Sequence, residues 1–331
     1  MELHRYLSQS TNPWFNQAVE DVLFNSLSPG QCVLFVWRNR SSVNIGKDQN
    51  PWLVCNTRNV HRKSLSIVRR HTYGGAIYQD PGHTNFSLMG NANDINTAVV
   101  KGILTTLIGK LKIKAECNDN NEIMIGKKKI SNTATSIVNG NFMQHCTIRV
   151  QTDLSAVEEF MLQHEENDNQ TSSITTKYGN LCESNPRIQH ETIERALASA
   201  CSEHFTVMPQ ERRLNINPLP DLPGLGTKLH LISSWDWNYG QSPPFHRQLN
   251  GRFRWGTIQL ELTIIKGTIA YIHCDCTNPL RILFNTFSER MMGYPYQAKS
   301  VMPVISTMMV DFGESQHELF QFARWLENEF T

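Results

Sequence analysis

Val33-Leu-Phe-Val-Trp37 is an unbroken apolar run of strand length, the pattern of a strand buried on both faces at the centre of a sheet. Upstream, Trp14 to Leu27 places Ala18, Val19, Val22, Leu23 and Leu27 at helical spacing, which predicts an amphipathic helix. Downstream, Ser42-Val-Asn-Ile-Gly46 reads as a hairpin partner or neighbour of the central strand, and Ser64 to Arg69 as a short strand entering a two-glycine turn. Asn96 to Leu111 is helical by period. Glu122-Ile-Met-Ile-Gly126 and Lys129-Ile-Ser131 are short strands around a Gly-Lys turn, and Cys146 to Gln151 is a further strand. Ser155 to Met161 begins a helix, the polar run Gln163 to Ser173 is an exposed loop, and Glu191 to His204 is an amphipathic helix. Helices alternating with strands predict an α/β domain. Beyond the breaks at Pro218-to-Gly226 and Ser242-Pro-Pro244 the pattern changes. Ile258-Gln-Leu-Glu-Leu-Thr-Ile264 alternates apolar and polar, the mark of a half-buried antiparallel strand; Lys266-Gly267 turns it into Thr268–Ile272, and Glu314 to Phe330 is a helix. The expected division is a large domain over 1–245 and a small α+β domain over 250–331.

The 331 residues carry 31 basic and 30 acidic side chains, a net charge of +1. A nucleic-acid backbone binder needs a basic surplus that is missing here. No apolar run reaches the roughly 18–20 residues of a spanning helix, and the first ten residues resemble neither a secretory nor a transit segment. A cytoplasmic protein without membrane or nucleic-acid partners is expected. Eight cysteines fit small buried residues in a reducing compartment. Cys274-Asp-Cys276, the one close pair, shares a strand face but lacks neighbouring ligands, so no metal ligand is assigned.

Three segments stand out chemically. Arg69-Arg-His-Thr-Tyr-Gly-Gly-Ala-Ile-Tyr78 ends a strand in two arginines and a glycine turn: forks for an anion, and backbone that a ligand can approach. Gly126-Lys-Lys-Lys-Ile-Ser131 is either a wet basic turn or an anion contact, with Lys127 and Lys129 on one face. Ser234-Trp-Asp-Trp-Asn-Tyr-Gly-Gln241 is aromatic packing, or a cover over a site. No nucleophile elbow, Walker A loop or dinucleotide fingerprint is present.

In order, these segments resemble the lipoate–protein ligase family, A type, over nearly the whole chain from Asn12-Pro-Trp-Phe-Asn16 onward. Val43-Asn-Ile-Gly46 and Gln49-Asn-Pro-Trp52 are similar to its paired strands and Gln-Asn-Pro-Trp element. Arg69 to Asp80 is similar to Arg-Arg-x-Ser-Gly-Gly-Gly-Ala-Val-Tyr-His-Asp, Lys129-Ile-Ser131 with Ala134 to Lys-Val-Ser-Gly-x-Ala, and Trp235 to Gln241 to Trp-Glu-Trp-Asn-Phe-Gly. The resemblance implies a mixed sheet of the biotin/lipoate ligase kind with a small C-terminal accessory domain. It implies ATP-dependent activation of lipoate, or octanoate, to an acyl-adenylate. The acyl group then passes to a lysine on the lipoyl carrier domain of a 2-oxoacid dehydrogenase complex or of the glycine cleavage protein. ATP is then a substrate, magnesium accompanies its phosphates, and no prosthetic group is needed. Lys129 would be the catalytic cation; Arg70 with the backbone of Gly75, Ala76, Ile77 and Tyr78 would hold ATP; Thr72, Ala134, His145 and Lys129 would hold lipoate. Arg70 is expected to face the nucleotide and Arg69 the solvent.

Several positions depart from the motifs. Tyr73 stands at the first motif glycine, Thr72 at the serine, Gln79 at the histidine, Asn132 at the glycine after Lys-Val-Ser, Cys117 at a basic residue, and Gln144-His145 at a His-His pair. The Tyr73 ring is expected either to fill part of the lipoate tunnel, favouring a shorter acid, or to leave with a displaced loop. The alternative to a working ligase is a divergent homologue: a lipoyl or octanoyl transferase, or an acid-binding protein without catalysis.

Overall fold

A computed structural model describes residues 1–162, 177–276 and 280–330. The Gln163–Ser173 run lies outside these residues. The chain divides into two compact units, Met1–Lys47 with Leu65–Ser234, and Asp48–Ser64 with Trp235–Thr331.

In the first unit Gln31–Trp37 sits inside a six-stranded sheet, in the order Ser131–Val138, Asn141–Arg149, His83–Asn91, Gln31–Trp37, Glu2–Ser8, Gln210–Leu214. The first three pairings are antiparallel and the last two parallel, so the sheet is mixed. Leu34, Phe86, Cys146 and Ile148 project from one face onto the helices Thr97–Leu111 and His190–Phe205, which return Leu104, Leu107, Ile193 and Leu197; all eight are at most 1% exposed. Helix Pro13–Asn25 starts where the sequence puts the signal for it. Pro13 takes the first turn, and the Asn12 side chain accepts from the amides of Trp14 at 3.0 Å and Phe15 at 3.2 Å.

Ser42–Ile45 does not pair with Gln31–Trp37. It is the middle of a separate three-stranded sheet, parallel to Ser66–Arg69 and antiparallel to Ile77–Gln79. A short apolar strand reveals its burial but not its partner, and here the partner comes from farther along the chain. A small four-stranded sheet, in the order Lys177–Tyr178, Lys128–Lys129, Ile123–Ile125, Glu116–Cys117, lies beside these. Gly126 turns between its middle strands at φ +58°, a conformation that favours glycine.

The second unit packs Phe245–Phe253, Gly256–Ile265 and Thr268–Cys276 as an antiparallel sheet against helices Arg281–Met291, Val301–Asp311 and Gln316–Glu329. Ile258, Leu260, Leu262 and Ile264 are at most 2% exposed, each contributing about 1.5–3 kcal/mol of burial. The division differs from the expected 1–245 and 250–331 in two respects: the second unit starts at Trp235, and Asp48–Ser64 clusters with it. Trp52 draws it in, stacking on Phe245 at 5.3 Å and meeting Tyr239 at 5.3 Å and Tyr296 at 5.4 Å. Tyr239 also stacks on Trp235, so these two aromatics of the 234–241 segment are packing. Cys274, also buried, has its thiol pushed up to about 12 by burial. Among the described residues no helix is long and apolar enough to cross a membrane.

Candidate functional site

The face of the six-stranded sheet opposite the two helices is polar yet buried. Side chains alternate along a strand, so His145, Thr147 and Arg149 share this face with their partners Ser87, Asn85 and His83 on one side. On the other side, Ala134 lies opposite His145 and Asn132 opposite Thr147. Each of the six side chains from the two central strands is at most 8% exposed. Several of them are hydrogen-bonded to one another or to Gln79, while Asn85 Nδ2 is buried without a partner. Gln79 donates to Asn85 Oδ1 at 2.9 Å and to Thr147 Oγ1 at 3.1 Å, and accepts from Asn39 at 2.8 Å. Asn16 in turn donates to Asn39 Oδ1 at 2.9 Å.

A cavity of about 220 Å³ lies over this floor. Pro13, Trp37, Ala76, Ile77, Ala134 and Tyr178 give it apolar walls, while Gln17, Asn39, Asn44, Gln79, Asn132 and Thr147 line it with amides and a hydroxyl. Charge sits at the two ends of the floor. At one end the buried Glu20 carboxylate meets His145 Nδ1 at 2.7 Å, and accepts from Gln17 at 2.7 Å and from Ser87. Burial pushes this carboxyl up, but the charge of His145 and the three hydrogen bonds outweigh it and hold it below the usual range. At the other end, four residues along the same strand and so about 13 Å away, Arg149 is 4% exposed. Burial lowers its guanidinium to about 10, still charged at neutrality.

The glycine turn forms the rim. Arg70 lines the cavity but spends its guanidinium on the loop: Nε donates to Thr72 Oγ1 at 3.0 Å, Nη2 to the carbonyls of Tyr73 at 3.1 Å and Gly75 at 2.8 Å, and Nη1 to that of Asn44 at 3.4 Å. Gly74 takes φ +107°. Gly46 lies so close beneath it that an added Cβ would sit 2.0 Å from the Gly74 carbonyl oxygen. Asp80 closes the segment, accepting from the amides of Gly82 and Asp153, each at 2.9 Å.

Of the residues expected from the sequence, Arg70, Gly75, Ala76, Ile77, Ala134 and His145 meet around this one cavity. Lys129, Thr72 and Tyr78 are not on its lining. The Lys129 amine is ion-paired with Glu122, Thr72 is buried as the acceptor for Arg70, and the Tyr78 ring stacks on Phe160 at 5.4 Å. Lys127 falls in the turn rather than on a strand beside Lys129. Two expectations are corrected. Arg69 does not face solvent: it is fully buried, donating to the carbonyl of Lys47 at 2.9 Å and to that of Gly46 at 3.3 Å. Tyr73 does not fill a tunnel: it is 63% exposed, its ring 5.7 Å from the Lys47 ammonium, and Gly74 rather than Tyr73 carries the positive φ. Gln17, Trp37, Asn39, Asn44, Asn132 and Thr147 were not foreseen as lining residues. For magnesium, the described residues include no group of three or more His, Cys, Asp or Glu that could hold an ion.

The model of the lipoyl protein ligase A/B catalytic domain matches residues 12–202, more than half the chain, which spans the whole cavity rim and floor. The chain belongs to this ligase family. The model of the bacterial lipoate protein ligase C-terminus matches 242–326, within the second unit. Among solved structures, P. falciparum LipL1 in complex with lipoate is 23% identical, with a TM-score of 0.62 over 98% of this chain and 99% of that one. A lipoate-protein ligase A bound with ATP is 21% identical, with a TM-score of 0.61 over 73% of this chain and 100% of that one. The T. acidophilum bipartite ligase, determined in a study of that ligase and its E2 lipoyl domain, is also 21% identical, at 0.61 over 73% and 97%. At these identities the likeness is one of fold.

Proposed function

We propose that the protein is an ATP-dependent lipoate–protein ligase. The observation that carries this reading is the Arg70-stapled glycine loop over a cavity with apolar walls and a hydrogen-bonding floor. The walls suit an acyl chain, and the loop amides suit phosphate. In the first step a carboxylate oxygen of the acid attacks the α-phosphorus of ATP. The bond to the bridging oxygen breaks, pyrophosphate leaves, and an acyl-adenylate remains. In the second, the ε-amine of a carrier-domain lysine attacks the acyl carbon, an amide forms, and AMP leaves with the anhydride oxygen; the amine's proton passes to solvent.

Bringing two anions together needs a fixed cation where their charges meet. Lys129 is that cation in this reading, exchanging Glu122 for oxygens of the carboxylate and the α-phosphate. Arg70 acts through the loop it shapes, and the backbone of Gly75, Ala76, Ile77 and Tyr78 receives the nucleotide. Ala134 and His145 border the acyl chain. Lys129→Ala, incubated with ATP and lipoate, should give less than about a hundredth of the wild-type acyl-adenylate by mass spectrometry, with an unchanged melting temperature. An unchanged rate overturns the role of Lys129. The pairing of Lys129 with Glu122 favours one second reading, transfer from preformed acyl-adenylate alone. Wild-type protein that transfers from added lipoyl-adenylate but makes none from ATP would establish it.

A further inference from the structure

Asn132 stands on the cavity side of its strand, directly opposite Thr147, and lines the cavity. Arg149 follows Thr147 by two residues on the same face, and its Nη2 donates to Asn132 Oδ1. A guanidinium has donors only, so this contact fixes which way the amide lies. The oxygen points to Arg149, and the NH2 points away, with no hydrogen-bond partner among the described residues. Arg149 cannot easily turn elsewhere. Its Nη1 donates to the Lys129 carbonyl at 3.4 Å, and its guanidinium carbon lies 4.2 Å from the centre of the Tyr178 ring. No carboxylate among the described residues pairs with it; Glu122, whose charge it feels, is taken by Lys129. Independently, Asn44 lines the same cavity with a buried Nδ2 that has no partner. A buried amide donor left unmatched costs about 1–3 kcal/mol. The cavity is therefore built for a ligand that brings acceptors.

We infer that Asn132 Nδ2 receives the carboxylate of the acid substrate, with Arg149 as the residue that orients it. This rests on the ligase reading and adds a head-group site to it. The resembling motif carries glycine at this position, so the site belongs to this chain's own residues. Arg149 acts through the amide: its buried guanidinium grips Oδ1 and so keeps Nδ2 turned toward the ligand. Carboxylate at the Asn132–Arg149 end sends the acyl chain along the floor toward Trp37 and His145.

The test is calorimetric titration of the full chain with octanoate and with octanamide, its uncharged counterpart. Wild type should prefer octanoate by about tenfold or more. Asn132→Gly should bind octanoate about 10- to 100-fold more weakly, the loss of one hydrogen bond to a charged group, and should lose the preference. Arg149→Leu should weaken octanoate in the wild-type background but have no further effect in Asn132→Gly, since residues acting through one contact are not additive. A merely structural Arg149 would weaken both backgrounds alike, and that result overturns its role. Should Arg149→Leu not fold, Asn132→Asp decides: it keeps a partner for Arg149 but loses the donor, so octanoate binding should disappear while the melting temperature holds. Octanoate binding unchanged in Asn132→Gly overturns the assignment and leaves the ligase reading standing. A wild type that binds neither octanoate nor lipoate overturns both.

Discussion

Arg70 decides whether the glycine loop is held by its own guanidinium or waits for the nucleotide to order it. Arg70→Ala removes the contacts to Gly75 O at 2.8 Å, Thr72 Oγ1 at 3.0 Å, Tyr73 O at 3.1 Å and Asn44 O at 3.4 Å. The Tyr73 and Gly75 carbonyls lie in a partly exposed loop and regain water, so each counts well under the value of a buried charged bond. Thr72 is 2% exposed and loses its partner outright. The sum is about 2–4 kcal/mol. A domain of this size moves roughly 2–4 °C per kcal/mol, so melting should fall by about 10 °C. Arg70→Lys separates a fork from a charge: an ammonium cannot span these acceptors, and Lys should behave nearly like Ala. Differential scanning calorimetry of the three proteins, with hydrogen exchange of the 72–77 amides, gives the answer. Exchange should quicken in both variants, and ATP affinity should drop with it. If Arg70→Lys matches wild type in melting and exchange, the guanidinium does not staple the loop.

Gly46→Ala should cost about 1–3 kcal/mol and impair nucleotide binding, because its Cβ would meet the Gly74 carbonyl oxygen at 2.0 Å; normal melting and ATP titration would contradict that close approach. Tyr73→Gly should leave the acid-length profile unchanged, since the ring is outside the cavity; a profile shifted to longer acids would return the ring to it. His190 is lowered to about 4, chiefly by burial and then by the charge of Arg38. The unfolded chain therefore binds a proton below about pH 6.5 that the native state refuses, and stability should fall between pH 6.5 and 4. His190→Gln should flatten that part of the melting curve against pH, and equal slopes in both proteins would show that His190 carries none of it.

What was legible in the sequence was what burial writes plainly. Val33–Trp37, the helix after Asn12 and the alternation of Ile258–Ile264 are apolar where they are buried, and each lies in the element expected. His83–Asn91 escaped notice, although it lies between Gln31–Trp37 and Asn141–Arg149. Its inward face is His83, Asn85 and Ser87, polar because these side chains bond to buried Asp80, Gln79, Thr147 and Glu20, and a polar period looks like a solvent face. The same disguise hid Thr147 and Arg149. The glycine turn was readable because loop backbone must carry glycine; the Lys129–Glu122 pair was not, since nothing in a short lysine run says which carboxylate will meet it. Charge suggested solvent for Arg69, which is instead buried and donates to two backbone carbonyls.

The most direct test of ligase activity is the intact mass of a purified, unmodified lipoyl carrier domain after incubation with this protein, lipoate, ATP and magnesium. The expected result is one lipoyl group in amide linkage on a single carrier lysine, with one AMP formed for each, and no modification when ATP is left out. A carrier that stays unmodified, in conditions where an active ligase modifies it fully, would contradict the assignment.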